Sequence, residues 1–97
     1  MLYMVNKSPI LYGNLKSALR IASPGDPVLL YEDGVYAAAQ GTASEELIRD
    51  ALLQHPVYAL QADVEARGIK KLIEGVQLID YDGFVELVEK NHVVPWL

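Results

Sequence analysis

The sequence predicts an α/β fold, a three-layer sandwich around a small, flavodoxin-like, mainly parallel sheet of four to five strands. Short apolar runs alternate along the 97 residues with segments of helical periodicity. The apolar run at residues 28–31 is long enough for a strand buried on both faces and too short for a helix, which is typical of a central parallel strand. We therefore expect one domain, residues 1–97, with right-handed crossovers and the strand order 2-1-3-4.

The first half of the chain is predicted to form a strand, a helix and the central strand. The first strand covers residues 2–5, and turn residues follow it. Asn14 is the favoured cap of the helix, although Ser8 followed by Pro9 offers another start. The turn at residues 23–27 cannot continue this helix and leads into the central strand. The apolar stripe of the helix consists of Leu11, Leu15, Ala18, Leu19 and Ala22.

A short helix follows the central strand. The next predicted helix begins at Ser44, because Glu45 and Glu46 behind it lie near the positive end of the helix dipole, where negative charge is stabilising. His55 and Pro56 end it, and a third strand covers residues 57–60. A brief helix at residues 62–67 follows, with Gly68 as its left-handed cap. The predicted buried face of the Ser44 helix consists of Leu47, Ile48, Ala51 and Leu52.

The end of the chain is predicted to form a fourth strand at residues 76–79 and a last helix. Asp80 caps this helix, which ends near Asn91. A fifth strand at residues 93–97 is compatible with the pattern only at an edge of the sheet, because Pro95 lacks a backbone N–H. The residues of the last helix that face inward are predicted to be Phe84, Leu87 and Val88.

Composition narrows the functional class. An apolar content of 52% is high for so small a domain and suggests apolar surface reserved for a partner. The net charge of −5 argues against direct nucleic-acid binding, and Lys70 and Lys71, with Arg67 nearby, are interpreted as a solvated basic loop. Because no apolar run approaches the roughly 20 residues of a membrane span and no targeting segment is seen, we expect a cytoplasmic protein without membrane contact.

Most catalytic chemistry is excluded by the residues that the chain lacks. No phosphate-loop or dinucleotide pattern is present, and Asn6, Lys7 and Ser8 stand where a phospho-acceptor domain would need acids. His55 and His92 have no partner pattern for a metal site or a catalytic pair, so we expect neither metal nor cofactor. The absence of cysteine excludes disulfides, thiolate metal sites and every mechanism that uses a thiol.

Two acids, Glu32 and Asp33, follow the central strand and precede Gly34 and a short helix of small apolar residues. In an open α/β sheet, functional residues lie at the carboxyl ends of the strands, where each strand is followed by the connection to a helix. Glu32 and Asp33 could form an acid/base pair, or Asp33 could cap the helix while Glu32 is a polar strand end. Both interpretations stay open at the level of sequence. The six tyrosines are interpreted as residues of the core edge and of interfaces rather than as catalytic groups.

Five segments, in order and at matching spacing, resemble the DsrH/TusB family. They are residues 5–9 (VNKSP), 29–38 (LLYEDGVYAA), 57–60 (VYAL) with Asp63 and 66–68 (ARG), 79–81 (IDY) with Phe84 and Val85, and 96–97 (WL).

The resemblance implies a DsrEFH-like fold and a role as a subunit of a TusBCD-like sulfur relay complex. TusB-like proteins assemble with TusC-like and TusD-like paralogues into a heterohexamer that passes persulfide sulfur toward 2-thiolation of the tRNA wobble uridine. The alternatives are a DsrH-like subunit of a DsrEFH sulfur-oxidation complex, and a stand-alone small α/β binding domain. A small acid/base enzyme using Glu32 and Asp33 is a further class.

Some family members carry a cysteine on the first helix, at a position that corresponds to Ala18 here. Persulfide transfer needs a thiolate, so the resemblance implies a non-catalytic assembly subunit, with the sulfur-carrying cysteine on the TusD-like partner. The tRNA thiolation machinery would then be an indirect partner. The predicted interface or site edge consists of Glu32, Asp33, Gly34, Tyr36 and Trp96.

Overall fold

A computed structural model describes residues 1–96 and contains one five-stranded sheet, four α-helices and a 3₁₀ helix within that range. Leu97, which the sequence assigns to the fifth strand, lies outside the described residues. The elements are β1 Leu2–Val5, α1 Asn14–Ile21, β2 Val28–Leu30, the 3₁₀ helix Glu32–Ala38, α2 Glu45–Leu52, β3 Val57–Leu60, α3 Gln61–Ala66, β4 Gln77–Ile79, α4 Tyr81–Lys90 and β5 Val93–Trp96.

All strand pairs are parallel, and their order is β4-β3-β2-β1-β5. The expected order 2-1-3-4 is therefore wrong. The tail strand β5 pairs with β1 along its whole length, from Leu2 beside Val93 to Val5 beside Trp96. β1 therefore has β5 on one side and β2 on the other, and β3 pairs with the side of β2 that faces away from β1. The edge position predicted for a strand containing Pro95 is confirmed.

The strand order also places the helices in two layers, one on each face of the sheet. Right-handed crossovers between the consecutive strands β1 to β4 place their helices on one face of the sheet. The connection from β4 back to β5 crosses the sheet in the opposite direction, so α4 covers the other face. Leu2 and Leu29 point toward this second face and are fully buried. The predicted three-layer α/β sandwich is thus confirmed.

The main core lies between the sheet and the helices of the first face. Neighbouring strands align their inward side chains in rows, and Tyr3, Val28 and Val57 form one such row. Leu15 of α1 and Ile48 of α2 pack into the same cluster and are almost completely buried. Each large aliphatic side chain buried in this way contributes about 1.5–3 kcal/mol relative to an exposed position.

The start of α1 departs from the sequence prediction, whereas the predicted cap of α4 and the left-handed glycine after α3 are confirmed. Gly13 occupies the N-cap position of α1, and the Asn14 side chain instead donates a hydrogen bond to the Trp96 carbonyl at 3.4 Å, so the Asn14 cap is wrong. Leu11 precedes the helix and is 77% exposed, outside the predicted stripe. Asp80 caps α4 by accepting from the Gly83 N–H at 2.9 Å, and Gly68 has a φ of 66°, as predicted.

A polar network is centred on Asp26, at the end of the sheet where the parallel strands begin. We call this end the amino edge. Its carboxylate accepts from the Ser23 N–H at 2.9 Å and lies 3.2 Å from the Met1 ammonium group. The Asp26 carbonyl lies 2.9 Å from Nδ1 of the buried His55, which explains His55 as a structural residue. The Ser23 hydrogen bond, followed by the N-terminal ammonium, lowers the pKa of Asp26 below its ordinary value of 3.8.

Asp26→Asn is expected to lower the free energy of unfolding at neutral pH, because the charged carboxylate is the form that these donors stabilise. A lowered pKa in the folded state stabilises the fold above the unfolded value of 3.8, and this advantage disappears as the pH falls through the folded pKa. Urea unfolding at pH 7 and at pH 2.5 should show a difference between the two proteins only at pH 7. Glu86→Gln, at an exposed position in the middle of α4, serves as the control and should show no such pattern.

Candidate functional site

The carboxyl ends of four neighbouring strands meet at one edge of the sheet, which we call the carboxyl edge. Trp96 ends β5, Val5 ends β1, residues 31–34 follow β2, and Asp63 lies in the first turn of α3 after β3. All five residues predicted from the sequence as an interface or site edge belong to this edge or to the 3₁₀ helix that starts there.

Gly34 sets the distance between the 3₁₀ helix and the end of β1. The Tyr31 N–H donates to the Val5 carbonyl at 3.1 Å, and the Gly34 N–H donates to the Tyr31 carbonyl at 2.9 Å. A Cβ added at Gly34 would collide with the Val5 carbonyl oxygen and would lie 3.0 Å from the Val5 carbonyl carbon. Because both groups belong to the backbone, only glycine fits this position.

Glu32 adopts a backbone conformation that side chains rarely take. Its φ is 48°, a left-handed value that it alone among the non-glycine residues of the 1–96 range adopts. The Glu32 N–H donates to Oδ2 of Asp63 at 2.8 Å, so the first turn of α3 holds the strained residue in place. Strain of this kind costs about 1–3 kcal/mol and concentrates at functional positions. Burial of the neighbouring Tyr31, with the Glu32 charge adding to it, raises the pKa of the Tyr31 hydroxyl above its ordinary value.

Asp33 forms an ion pair with Arg67, which follows α3. The Nε and Nη2 atoms of Arg67 lie 3.0 Å and 2.9 Å from the same Asp33 oxygen, Oδ1. Arg67 also donates from Nη1 to the Asp63 carbonyl at 3.3 Å and lies 3.5 Å from the Asp63 carboxylate. The helix-cap interpretation of Asp33 is therefore wrong, because Tyr31 occupies the cap position and the Asp33 carboxylate bonds to α3 instead.

Sequence reasoning missed Asp63 and Arg67 as members of this site. Both residues occur in the segments that carry the family resemblance, but the expected strand order separates β3 from β2. In the structure β3 lies beside β2, which brings α3 next to the residues after β2. Arg67 is thus directed to the carboxyl edge and is not part of a solvated basic loop with Lys70 and Lys71. Those two exposed lysines line a separate groove of about 640 Å³, together with Glu45 and Arg49.

A cavity of about 370 Å³ opens at the carboxyl edge beside the 3₁₀ helix. Half-buried Tyr36 lines it on one side, and the loop after β1 lines it on the other. Asp33 contributes the charged group of the lining. The lining residues within the described chain are Ser8, Ile10, Leu11, Asp33 and Tyr36.

Trp96 lies at the carboxyl edge with its ring directed inward. The ring packs edge to face against Tyr3, with a centroid distance of 6.0 Å and an interplanar angle of 61°. Its carbonyl accepts the Asn14 side chain, so β5 is tied to α1 as well as to β1. The described contacts of Trp96 therefore serve to attach β5 to the fold.

Ala18 lies in the second turn of α1 and is completely buried among core residues. A side chain at this position faces the sheet and cannot be reached from solvent in the folded chain. Within residues 1–96 no group of three His, Asp or Glu side chains is close enough to hold a metal ion. In the same range no helix has the length and apolar composition that a membrane crossing requires.

The carboxyl edge presents acidic and apolar groups but no sulfur nucleophile. Arg67 binds one carboxylate oxygen of Asp33, whereas the second Asp33 oxygen and the Glu32 carboxylate have no hydrogen bond or ion pair within the described residues. The chain has no cysteine. Glu32, Asp33 and Tyr36 are consequently polar groups of this edge that an incoming molecule can reach.

Gly34→Ala is expected to lower the free energy of unfolding by about 1–3 kcal/mol, since the added methyl group must displace backbone. Gly13→Ala is the matched control, because no atom lies within 4 Å of a Cβ at Gly13 and its φ is −89°. Chemical unfolding of both variants checks this. Equal stability of the two would show that the 3₁₀ helix can move away from β1 without loss.

Asp63→Ala is expected to lower the free energy of unfolding by about 1–2 kcal/mol, because the Glu32 N–H loses a charged acceptor and Arg67 loses one partner. Glu65→Ala, on the same helix but bonded to the exposed Gln61 side chain, should have an effect of less than about 0.5 kcal/mol. Thermal unfolding monitored by circular dichroism separates the two. A larger loss in Glu65→Ala would contradict the assignment.

Comparison with known proteins identifies the family and the fold of this chain. A family model described as "DsrH like protein" matches residues 7–94. The TusB proteins of Serratia proteamaculans and Escherichia coli K12 are each 41% identical over 92 residues, covering 94% of this chain and 94% of theirs. A crystal structure of the ychN protein from E. coli has a TM-score of 0.83 at 19% identity, covering 97% of this chain and 96% of that one, and shares the fold. Since the family match spans most of its length, the chain belongs to the DsrH/TusB family.

Proposed function

We propose that this chain is a non-catalytic subunit of a TusBCD-like sulfur relay complex that supports 2-thiolation of the tRNA wobble uridine. The observation that carries the proposal is membership of the DsrH/TusB family by a chain that contains no cysteine. The family supplies the setting, and the missing thiol excludes the role of sulfur carrier.

The chemistry of the relay explains why the missing thiol decides the role. An acceptor thiolate attacks the terminal sulfur of a donor persulfide, the S–S bond breaks, and the donor leaves as a thiolate. The acceptor then carries the persulfide. No side chain of this sequence can take either part, and Ala18, the proposed counterpart of the cysteine found in some relatives, carries only a methyl group. The carrying cysteine is therefore assigned to a TusD-like partner.

The partners in this proposal are TusC-like and TusD-like paralogues in a cytoplasmic heterohexamer. The proposed contribution of this chain is a rigid surface at the carboxyl edge, with Glu32, Asp33, Gly34, Tyr36 and Trp96. The Asp33–Arg67 ion pair and the Asp63 hydrogen bond to Glu32 support this assignment, since they hold the surface in one conformation. The net charge of −5 favours contact with partner proteins over direct contact with tRNA.

The second candidate is a DsrH-like subunit of a DsrEFH complex in sulfur oxidation. The description of the matching family as DsrH like favours it. In both candidates this chain is a scaffold subunit. They differ in whether the complex serves tRNA thiolation or sulfur oxidation. The neighbouring reading frames would separate them, because relay partners and sulfur-oxidation enzymes differ in sequence.

Omitting this chain from a relay reconstituted with its TusC-like and TusD-like partners is expected to stop sulfur transfer, because the partners lose their assembly. With radiolabelled sulfur, label should appear on the TusD-like subunit and never on this chain. Full-rate transfer without the chain, or label on it, would overturn the proposed role.

Ala18→Cys provides the matched variant. Cysteine is a small apolar side chain, so the fold should tolerate it and the relay rate should stay unchanged. Because the position is completely buried, the new thiol should resist alkylation until the protein is unfolded with urea. A faster relay with this variant would show that the chain can take part in the covalent step.

A further inference from the structure

The loop between β1 and α1 holds three large apolar side chains in solvent at the carboxyl edge. Ile10 is 71% exposed, Leu11 77% and Tyr12 51%. Soluble domains scatter single exposed apolar residues, whereas three in succession form a patch that is typical of an interaction surface. We call Ile10, Leu11 and Tyr12 the apolar loop.

The backbone of the apolar loop is fixed by Ser8. The buried Ser8 accepts the Ile10 N–H at its Oγ, 3.3 Å away, and accepts the Tyr12 N–H at its carbonyl, 3.0 Å away. The Lys7 ammonium lies 5.3 Å from the centroid of the Tyr12 ring, which holds that side chain on the outside of the loop. The exposure of Ile10 and Leu11 is therefore built into an ordered turn.

Ile10 and Leu11 of the apolar loop form one wall of the 370 Å³ cavity, and Tyr36 with Asp33 forms the other. One carboxylate oxygen of Asp33 binds Arg67, and the second has no partner within residues 1–96. The exposed Glu32 carboxylate lies next to it in sequence and is likewise unpaired within that range. The cavity thus has an apolar wall and the Asp33 carboxylate in its lining, and the Glu32 charge lies one residue away along the chain; we call these two carboxylates the acidic rim.

We propose that this cavity is the docking site for a partner subunit of the relay, which inserts an aliphatic or aromatic side chain flanked by a lysine or arginine. The proposal rests on the proposed function and names the chemistry of the partner. The apolar wall accounts for the inserted side chain, and charge complementarity with Glu32 and Asp33 accounts for the adjacent cation.

A second copy of this chain fits the site less well. A second copy offers Tyr12 beside Lys7, but these residues lie in and next to the loop that lines the cavity itself, so pairing through them would bring two sets of acidic side chains together. It also offers exposed Ile21 next to Arg20 at the end of α1. That contact would join two different surfaces, and a contact of that type leads to rings or open chains rather than a closed dimer. A paralogous subunit meets the same chemical requirement without this consequence.

The test measures binding of the full chain to the co-purified TusC-like and TusD-like subunits of the same organism by biolayer interferometry. Leu11→Asp is expected to weaken binding about tenfold or more, because it places a charge in the apolar wall. Leu53→Asp is the matched control, since Leu53 is 83% exposed at the end of α2, away from the carboxyl edge, and should change affinity less than twofold. Both side chains are exposed, so both variants should keep the melting temperature of the parent protein.

Glu32→Gln tests the acidic rim separately. It should slow association several-fold and reduce the dependence of the association rate on salt, while the dissociation rate changes little. An unchanged salt dependence would remove the cation from the proposal.

The outcomes distinguish failure of the docking site from failure of the proposed function. If the parent protein binds the partner pair and Leu11→Asp binds equally well, the docking site is wrong while the proposed function stands. If the parent protein does not bind the pair, the proposed function fails, and the docking site fails with it. Self-association of the parent protein that Leu11→Asp abolishes, measured by sedimentation velocity, would assign the cavity to a second copy and overturn the stated occupant.

Discussion

The position of β2 between β1 and β3 is the constraint on which the carboxyl edge depends. The chain must turn sharply after Leu30 to leave the sheet beside two other strand ends, and it does so close to the Val5 carbonyl, where only Gly34 fits. Glu32 takes a left-handed conformation in the same turn. The turn is held from the β3 side by the first turn of α3 and by the arginine that follows it. In a parallel sheet the carboxyl ends of neighbouring strands lie side by side, and their close contacts hold the side chains of the carboxyl edge in place.

The two edges of the sheet differ in how completely their polar groups are satisfied. At the amino edge, Asp26 bonds to the chain start and to Ser23, and its carbonyl meets a buried histidine, so that edge has a structural role. At the carboxyl edge, a strained residue, an unpaired carboxylate and an ordered apolar loop lie around one cavity. Features that reduce stability without serving the fold are those that functional surfaces retain.

The proposed role as a scaffold subunit without a thiol requires a surface that stays in one conformation while the partners exchange sulfur. The ion pair between Asp33 and Arg67 is partly exposed, and pairs of this kind contribute only about 0–1 kcal/mol each. Its importance lies in geometry, because it joins the segment after β2 to the segment after β3. In a complex, a partner that covers the pair would exclude water and strengthen it.

The sequence by itself determined the α/β class, nearly all helices and strands, the family and the absence of a thiol. These properties depend on periodicity, caps, turn residues and residue chemistry, which neighbouring residues specify. The tertiary structure alone decided that β5 pairs with β1 and β3 with β2, that Arg67 reaches Asp33, and that Leu11 lies outside its helix in solvent. Parallel strands have no tight turn to specify their partner, so the order depends on competition between distant segments for the same edge. Contacts between those segments therefore appear only once the whole chain is folded.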